Sequence, residues 1–187
     1  QQLSMAYGPG NAREFLPADM NVSGIQFSPD GRMVSFMWAD GDDKKAVWGI
    51  PVDGGAQRKL AHVEGAAVRS YAWSPDGSHM HLLVAAEEDK DRTAQSKAGF
   101  NSVVYEEEAK LTRLFSARVG TEVDAEPKAV AIPGYVSAFR VAPDGRHAVV
   151  DSAPTPQIDD AYTSKRAHVI DLTNGKVLRV VETPGKL

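Results

Sequence analysis

An all-β protein built from antiparallel four-stranded units is the fold that this sequence predicts, and a repeated turn is the first reason. A Pro-Asp-Gly turn occurs three times, at residues 27–31 (FSPDG), 73–77 (WSPDG) and 141–145 (VAPDG). Short runs of alternating apolar and polar residues flank each copy, while the 3.6-residue periodicity of helices is nearly absent. Four-stranded units that recur about every forty to fifty residues are typical of the blades of a β-propeller. The sequence therefore predicts about three blades, which form part of a ring.

The repeated turn predicts a β-hairpin at the start of each unit. Proline fixes φ near about −65° at the first central position, aspartate suits the second, and glycine adopts the left-handed conformation that restores strand pairing. The first strands are predicted at residues 23–27, 68–73 and 135–141, and the second strands at 33–38, 80–85 and 147–151.

A third and a fourth strand follow each hairpin. The predicted third strands are residues 47–52, 114–119 and 168–172, and a glycine-containing turn ends each of them. The predicted fourth strands are residues 57–60, 128–132 and 177–181. Trp38, Trp48 and Trp73 lie on predicted strands, and we expect their large rings to pack between blades.

The spacing of the turns sets the predicted domain boundaries. Asp30 and Asp76 are 46 positions apart, which fits one blade, whereas Asp76 and Asp144 are 68 apart. The second blade therefore carries an insertion at residues 87–110, which has seven acidic and four basic residues. The predicted organisation is a lead-in segment at 1–22 and a propeller fragment at 23–187, with blades at about 23–61, 67–132 and 135–182.

Three blades do not close a ring, since propellers typically use about four to eight. We therefore expect the chain to be part of a larger assembly. The missing blades would come from a longer polypeptide or, alternatively, from another copy of the chain in a homo-oligomer.

Composition excludes several functional classes. The 187 residues carry a net charge of −4, so the chain lacks the basic surface that nucleic acid requires, and we expect no nucleic-acid partner. No apolar run reaches the length of a membrane helix, and we expect no membrane partner. The absence of cysteine excludes thiolate chemistry without fixing the compartment. The N-terminus lacks the basic and apolar regions of a secretion signal, so either none existed or it has been removed. We expect a bacterial periplasmic or secreted protein, with a cytoplasmic one as the alternative.

The Ser-Pro-Asp-Gly hairpins with a preceding aromatic residue resemble the WD40-like repeats of TolB-type proteins and of prolyl-oligopeptidase-family serine peptidases. Two segments, residues 104–108 (VYEEE) and 153–176, are similar to the N-terminal propellers of dipeptidyl and acylaminoacyl peptidases. The resemblance covers residues 23–182. It implies a propeller that gates and orients short peptide substrates for an α/β-hydrolase domain of the same polypeptide, with no cofactor.

The catalytic machinery of such a peptidase is not expected in this chain. A nucleophile elbow needs glycine two residues before the serine, and no serine here has it. The alternative from another functional class is a TolB-like propeller that binds a protein partner and has no enzyme attached. A Gly-x-Ser-x-Gly motif downstream in the parent gene would separate the two.

The resemblance also suggests a substrate-binding site at Glu106, Glu107 and Glu108. Dipeptidyl peptidases use a double glutamate to hold the α-ammonium group of the substrate, and paired carboxylates suit that role. The alternative interpretation is a solvated acidic edge of the insertion, because most charge runs are only that.

Two further groups of residues are candidates. Asp159, Asp160 and Tyr162 lie in a predicted loop after two prolines, where they line a substrate channel or simply form a turn. Lys165 and Arg166 are expected to neutralise these aspartates. His79 and His81 share one face of a strand, but no third ligand is evident, so we expect no metal.

Overall fold

The computed structural model describes residues 3–6, 10, 12–17, 19–41, 43–85, 111–119 and 126–181. A short hairpin comes first, made of β1 (Ser4–Ala6) and β2 (Ala12–Glu14). Twelve strands follow: β3 (Ser23–Phe27), β4 (Met33–Trp38), β5 (Ala46–Pro51), β6 (Arg58–Ala61), β7 (Val68–Trp73), β8 (His79–Ala85), β9 (Thr112–Arg118), β10 (Lys128–Ala129), β11 (Tyr135–Val141), β12 (His147–Ala153), β13 (Arg166–Asp171) and β14 (Val177–Val181). A single helix in the described residues, α1 (Ile158–Thr163), joins β12 to β13.

The twelve strands form three antiparallel four-stranded sheets, in each of which consecutive strands are neighbours. The first blade is β3–β6, the second is β7–β10 and the third is β11–β14. This arrangement confirms the predicted architecture of three propeller blades that do not close into a ring. No helix in the described part of the chain is long and apolar enough to cross a membrane.

The Pro-Asp-Gly turns have the predicted geometry. Gly31, Gly77 and Gly145 adopt φ values of 69°, 71° and 69°, in the left-handed region. In the first turn the Gly31 amide donates to the Ser28 carbonyl oxygen at 2.8 Å, and Asp30 Oδ1 accepts from the Arg32 amide at 3.1 Å. Each turn therefore joins the first and second strands of its blade.

Two elements differ from the sequence prediction by more than two residues at an end or in the kind of structure. The fourth strand of the second blade is only Lys128–Ala129, because the Ile132 amide donates to the Val130 carbonyl oxygen and turns the chain before Pro133. Residues 158–163, predicted as a loop, form helix α1, in which the Ala161 amide donates to the Gln157 carbonyl oxygen. The acidic Asp159 and Asp160 lie in its first turn, where a helix favours negative charge.

The described residues form three apolar clusters, two of which lie between neighbouring blades. One lies between the first and second blades and includes Val47, Met80 and Leu82, and another lies between the second and third and includes Leu83, Leu114 and Ile170. Each cluster buries side chains from both sheets, so neighbouring blades share one interior.

The third cluster covers the outer face of the first blade. Leu16 and Met20 of the lead-in segment pack on Val34, Phe36 and Ile50, and they are nearly fully buried. Trp38 and Trp48 belong to this cluster, with ring centroids 5.1 Å apart, so the expectation that they pack between blades was wrong. Trp73 does pack at the interface of the first and second blades, as expected.

Candidate functional site

The first strands of the three blades, β3, β7 and β11, supply most of the lining of a cleft of about 740 Å³. We call it the axial cleft. It is lined by Gln26, Phe27, Pro29, Tyr71, Ala72, Trp73, Ala138, Phe139, Arg140, Val141, Val149 and Asp151. Because every blade contributes its first strand, this cleft lies at the position that the central channel of a propeller occupies.

A buried hydrogen-bond cluster fixes one wall of the axial cleft. Ser35 Oγ accepts from the Tyr71 hydroxyl at 2.8 Å and from Trp73 Nε1 at 2.9 Å, and it donates to the Gln26 carbonyl oxygen at 3.1 Å. The Gln26 side chain donates to the Tyr71 carbonyl oxygen at 2.9 Å. Burial raises the pKa of Tyr71 well above its usual range, so its hydroxyl stays protonated and can donate. These bonds join the first and second blades and hold this wall of the cleft in place.

Four of the twelve residues that line the axial cleft are aromatic, and two are charged. Phe27 is 62% exposed, and Trp73 and Phe139 are partly buried beside it. Arg140 and Asp151 supply one positive and one negative group on the third blade. Such a surface can bind an extended peptide by apolar contact and orient its polar groups, but none of these side chains forms a nucleophile and base pair.

A second and larger concavity, about 1040 Å³, opens between the second and third blades at the end where the Pro-Asp-Gly turns lie. We call it the interblade cavity. Its floor includes His81, Val130 and Leu172, and its rim includes Arg118 and Lys128. Its inner end therefore has apolar side chains and one imidazole, and polar side chains surround its mouth.

The carboxylates beside the interblade cavity accept hydrogen bonds from residues of their own turns. Hydrogen bonds from Ser74 and Ser78 hold the pKa of Asp76 well below its usual value. The third turn has Ala142 where the others have serine, and there His147 Nδ1 lies 2.6 Å from Asp144 Oδ2 and lowers the pKa of Asp144 to about 2.

Asp171, at the end of β13, also accepts hydrogen bonds from neighbouring residues. Its pKa is lowered to about 2 by hydrogen bonds from Thr173 and by Arg146, whose guanidinium lies 3.1 Å from Asp171 Oδ2. These aspartates are therefore negatively charged above roughly pH 4, and each is already paired with donors from its own blade.

The predicted site residues do not come together in the described part of the chain. Glu106, Glu107 and Glu108 lie outside the described residues. Asp159 and Tyr162 project from α1, where Tyr162 is 76% exposed.

Helix α1 lines neither of the two concavities just described. Asp160 Oδ2 accepts from the Thr155 hydroxyl at 2.6 Å. Arg166 donates to the Thr163 and Lys165 carbonyl oxygens, so among the described residues it forms no ion pair with the aspartates, contrary to expectation. A role for Asp159, Asp160 and Tyr162 in lining a channel stays a prediction.

His79 and His81 both line the interblade cavity. His79 is exposed, and its Nδ1 lies 2.8 Å from the Ser78 hydroxyl. His81 is only 4% exposed, and burial, followed by the nearby His79, lowers its pKa to about 4. The described residues bring no three potential metal ligands together.

The lining of the axial cleft was missed by the sequence reasoning. Gln26, Phe139, Arg140 and Asp151 lie in ordinary strand positions, and nothing in their spacing marks them. The available signal was topological, because the first strand of every propeller blade is the one nearest the axis. Applied to β3, β7 and β11, that rule predicts most of the lining.

No protein-family model matches this sequence, and no curated protein matches it either. Its fold is similar to several solved structures. A protein described as TolB from Agrobacterium tumefaciens has a TM-score of 0.60 and 15% identity, with 95% of this chain and 53% of that chain covered. An oligogalacturonate lyase in complex with manganese has a TM-score of 0.60 and 20% identity, with 94% of this chain and 40% of that chain covered. The acylaminoacyl peptidase of Pyrococcus horikoshii has a TM-score of 0.59 and 14% identity, with 98% of this chain and 28% of that chain covered.

These likenesses fall below 25% identity, so they establish the fold and not the chemistry. This chain spans about half or less of each of the three proteins. Its fold is that of a TolB-like β-propeller, and the described residues form three of the blades.

Proposed function

We propose that this chain is part of the β-propeller of a prolyl-oligopeptidase-family serine peptidase, in which it gates and orients short peptide substrates. The observation that carries the proposal is the axial cleft, whose aromatic wall and single pair of opposite charges suit an extended peptide. The likeness to the propeller of an acylaminoacyl peptidase supports it. The hydrolase domain, which would supply the nucleophile, belongs to the same polypeptide.

The absence of cysteine from the chain allows a sharp test of gating. A bulky maleimide on Ala138→Cys, an exposed residue of the axial cleft, should obstruct the passage in the full-length enzyme. We expect kcat/KM to fall about tenfold for a peptide of several residues, and less for a small ester, because only the larger substrate needs the whole opening. The matched control is the same label on Arg58→Cys, an exposed position on the outermost strand of the first blade. Equal loss at both positions would contradict gating through the axial cleft.

The acidic triplet provides the proposed anchor for the substrate ammonium group. Changing Glu106 and Glu107 to Gln in the full-length enzyme keeps size and hydrogen-bonding capacity but removes the charge. A buried ammonium–carboxylate pair lost in this way costs about 2 to 5 kcal/mol, whereas exposed charges contribute at most about 1 kcal/mol. The variant should therefore lose activity on a peptide with a free N-terminus and keep it on the acetylated peptide. Equal ratios in wild type and variant would refute the anchor.

A TolB-like propeller that binds a protein partner is the second candidate function. It is favoured by the likeness to the Agrobacterium protein, of which this chain covers a larger share than it does of the peptidase. The two candidates differ in the parent protein's reaction with a serine-directed fluorophosphonate. The peptidase must be labelled covalently on a serine outside this chain, and the binding propeller must not be labelled.

A further inference from the structure

The interblade cavity has a row of polar side chains on one wall. Cross-strand pairing places His81 opposite Ser116, and Ser116 opposite Lys128, while His79 lies opposite Arg118. Paired residues of an antiparallel sheet point to the same face, with Cβ atoms about 5 Å apart. All of these side chains therefore project from the second blade toward the third, and they line the cavity.

His81 is buried without a hydrogen-bond partner. Neither ring nitrogen is bonded to any described residue, although the side chain is 4% exposed and lies at the floor of the cavity. A buried polar group left unpaired destabilises a fold, and such groups are rare in native proteins. The imidazole is neutral at pH 7, since its pKa is about 4, so it offers one N–H donor and one acceptor.

Two of the cations around His81 have no anionic partner among the described residues. Within the described residues, Arg118 and Lys128 form no ion pair, whereas Arg146 across the cavity is paired with Asp171. The remaining charged or titratable groups that face the cavity are His79, Asp76, Glu126 and Asp144.

Asp76 and Asp144 already accept hydrogen bonds from their own turns, and Glu126 is exposed at the rim. Within the described residues, Arg118, Lys128 and the His81 N–H therefore face the cavity with Glu126, at its rim, as the one unpaired anion.

We propose that the interblade cavity binds a small organic oxyanion, a carboxylate or a phosphate, through Arg118 and Lys128 at its mouth and the His81 imidazole at its floor. Guanidinium and ammonium groups make their strongest hydrogen bonds to such oxyanions. The cavity, at about 1040 Å³, holds a metabolite-sized molecule and not only a bare ion. This site is separate from the axial cleft and does not depend on the peptidase proposal.

The test follows the imidazole resonances of the five histidines by NMR in the 187-residue chain, with inorganic phosphate and succinate as separate probes. The His81→Gln variant assigns the His81 signal. Binding should shift that signal saturably, and it should raise the pKa of His81 toward its ordinary value, because a bound anion stabilises the imidazolium. Arg118→Gln and Lys128→Gln should each weaken binding at least about fivefold.

The matched control is Arg113→Gln, which removes the same charge from the same strand but from the opposite face. Arg113 pairs with Val84, whose side chain belongs to the core between the first and second blades. Binding by phosphate alone identifies a phosphate ligand, binding by succinate alone a carboxylate, and binding by both the shared oxyanion chemistry.

Three results would overturn the proposal: no saturable shift up to roughly 20 mM of either probe, an equal loss in Arg113→Gln, or the same shift in all five histidines. If His81→Gln fails to fold, through-space contacts to Ser116 and Leu83 assign the signal, and the arginine and lysine comparisons decide the question.

Discussion

The aspartate of the repeated turn has a side-chain partner in all three blades, but the partner residue differs in the third. In the first two turns a serine hydroxyl donates to the turn aspartate, from Ser28 to Asp30 at 2.6 Å and from Ser74 to Asp76 at 2.5 Å. The third turn has alanine at this position, and His147 replaces the serine by binding Asp144 from the other strand. The aspartate is thus held in the turn in all three blades, although the partner comes from a different place in the sequence.

The turn glycines provide a prediction that separates backbone strain from packing. Gly31→Ala and Gly145→Ala force a side chain onto the same φ of 69°, which costs about 1 kcal/mol. A Cβ at Gly31 meets nothing within 4 Å, but at Gly145 it lies 3.2 Å from Pro75 Cδ of the preceding blade. We therefore expect urea denaturation to show a larger loss of unfolding free energy for Gly145→Ala. The control, Gly31→Asn, should lose less than Gly31→Ala, since asparagine tolerates the left-handed region. Identical losses at both glycines would contradict the contact between turns.

Ser35 supports a second prediction at the residue scale. Its hydroxyl is fully buried and accepts from both Tyr71 and Trp73. Ser35→Ala leaves two buried donors without an acceptor, which should lower the free energy of unfolding by about 2 to 4 kcal/mol. Ser35→Ala combined with Tyr71→Phe should recover part of that loss, because one unpaired donor is removed with it. A double variant no more stable than Ser35→Ala alone would show that the hydroxyl contributes nothing through Tyr71.

At the scale of elements, the sequence predicts best those strands whose neighbours are close in the chain. The bounds of β3, β4, β7, β11 and β14 agree with the sequence prediction, because alternation and adjacent turns are local signals. Helix α1 has only six residues, too few for a periodic pattern, although the preceding prolines and Asp159 and Asp160 in its first turn were usable signals. The interblade cavity was not predictable, because it depends on which residues of two sheets face each other.

The hairpin of the third blade carries a pH prediction. Hydrogen bonds, chiefly from His147, lower the pKa of Asp144 from 3.8 to about 2, so the folded state favours the charged carboxylate. That contribution to stability is fully present above about pH 4, and it is lost as the pH falls toward 2. Asp144→Asn should therefore show a smaller loss of unfolding free energy than wild type between pH 4 and pH 2, measured by urea denaturation. Asp53→Asn, an exposed control, should follow the wild-type slope. A wild-type slope in Asp144→Asn would contradict the assignment.

For the molecule as a whole, the outer face of the first blade is covered by apolar side chains, whereas the outer face of the third blade is exposed. The lead-in segment covers the outer face of the first blade, and this packing was not predicted because it joins residues far apart in sequence. The outer face of the third blade stays open, with Val149 44% and Val181 39% exposed. The described residues contain nothing that covers these valines, in keeping with the expectation that missing blades, from a longer polypeptide or from another copy of the chain, pack on this face.

Two neighbouring valines of β12 test that expectation, because they point to opposite faces of the third blade. Val150 is fully buried against the second blade, while Val149 faces the open side, at the edge where that face borders the axial cleft. Replacing a buried valine with threonine puts a hydroxyl in an apolar site and costs about 1 to 3 kcal/mol, whereas an exposed replacement stays within about 0.5 kcal/mol. In the 187-residue chain, Val150→Thr should therefore lower the free energy of unfolding and Val149→Thr should not. In the longer product of the same reading frame, Val149→Thr should become as costly as Val150→Thr, because a following blade buries it. If Val149→Thr is neutral in both proteins, no further blade packs on this face.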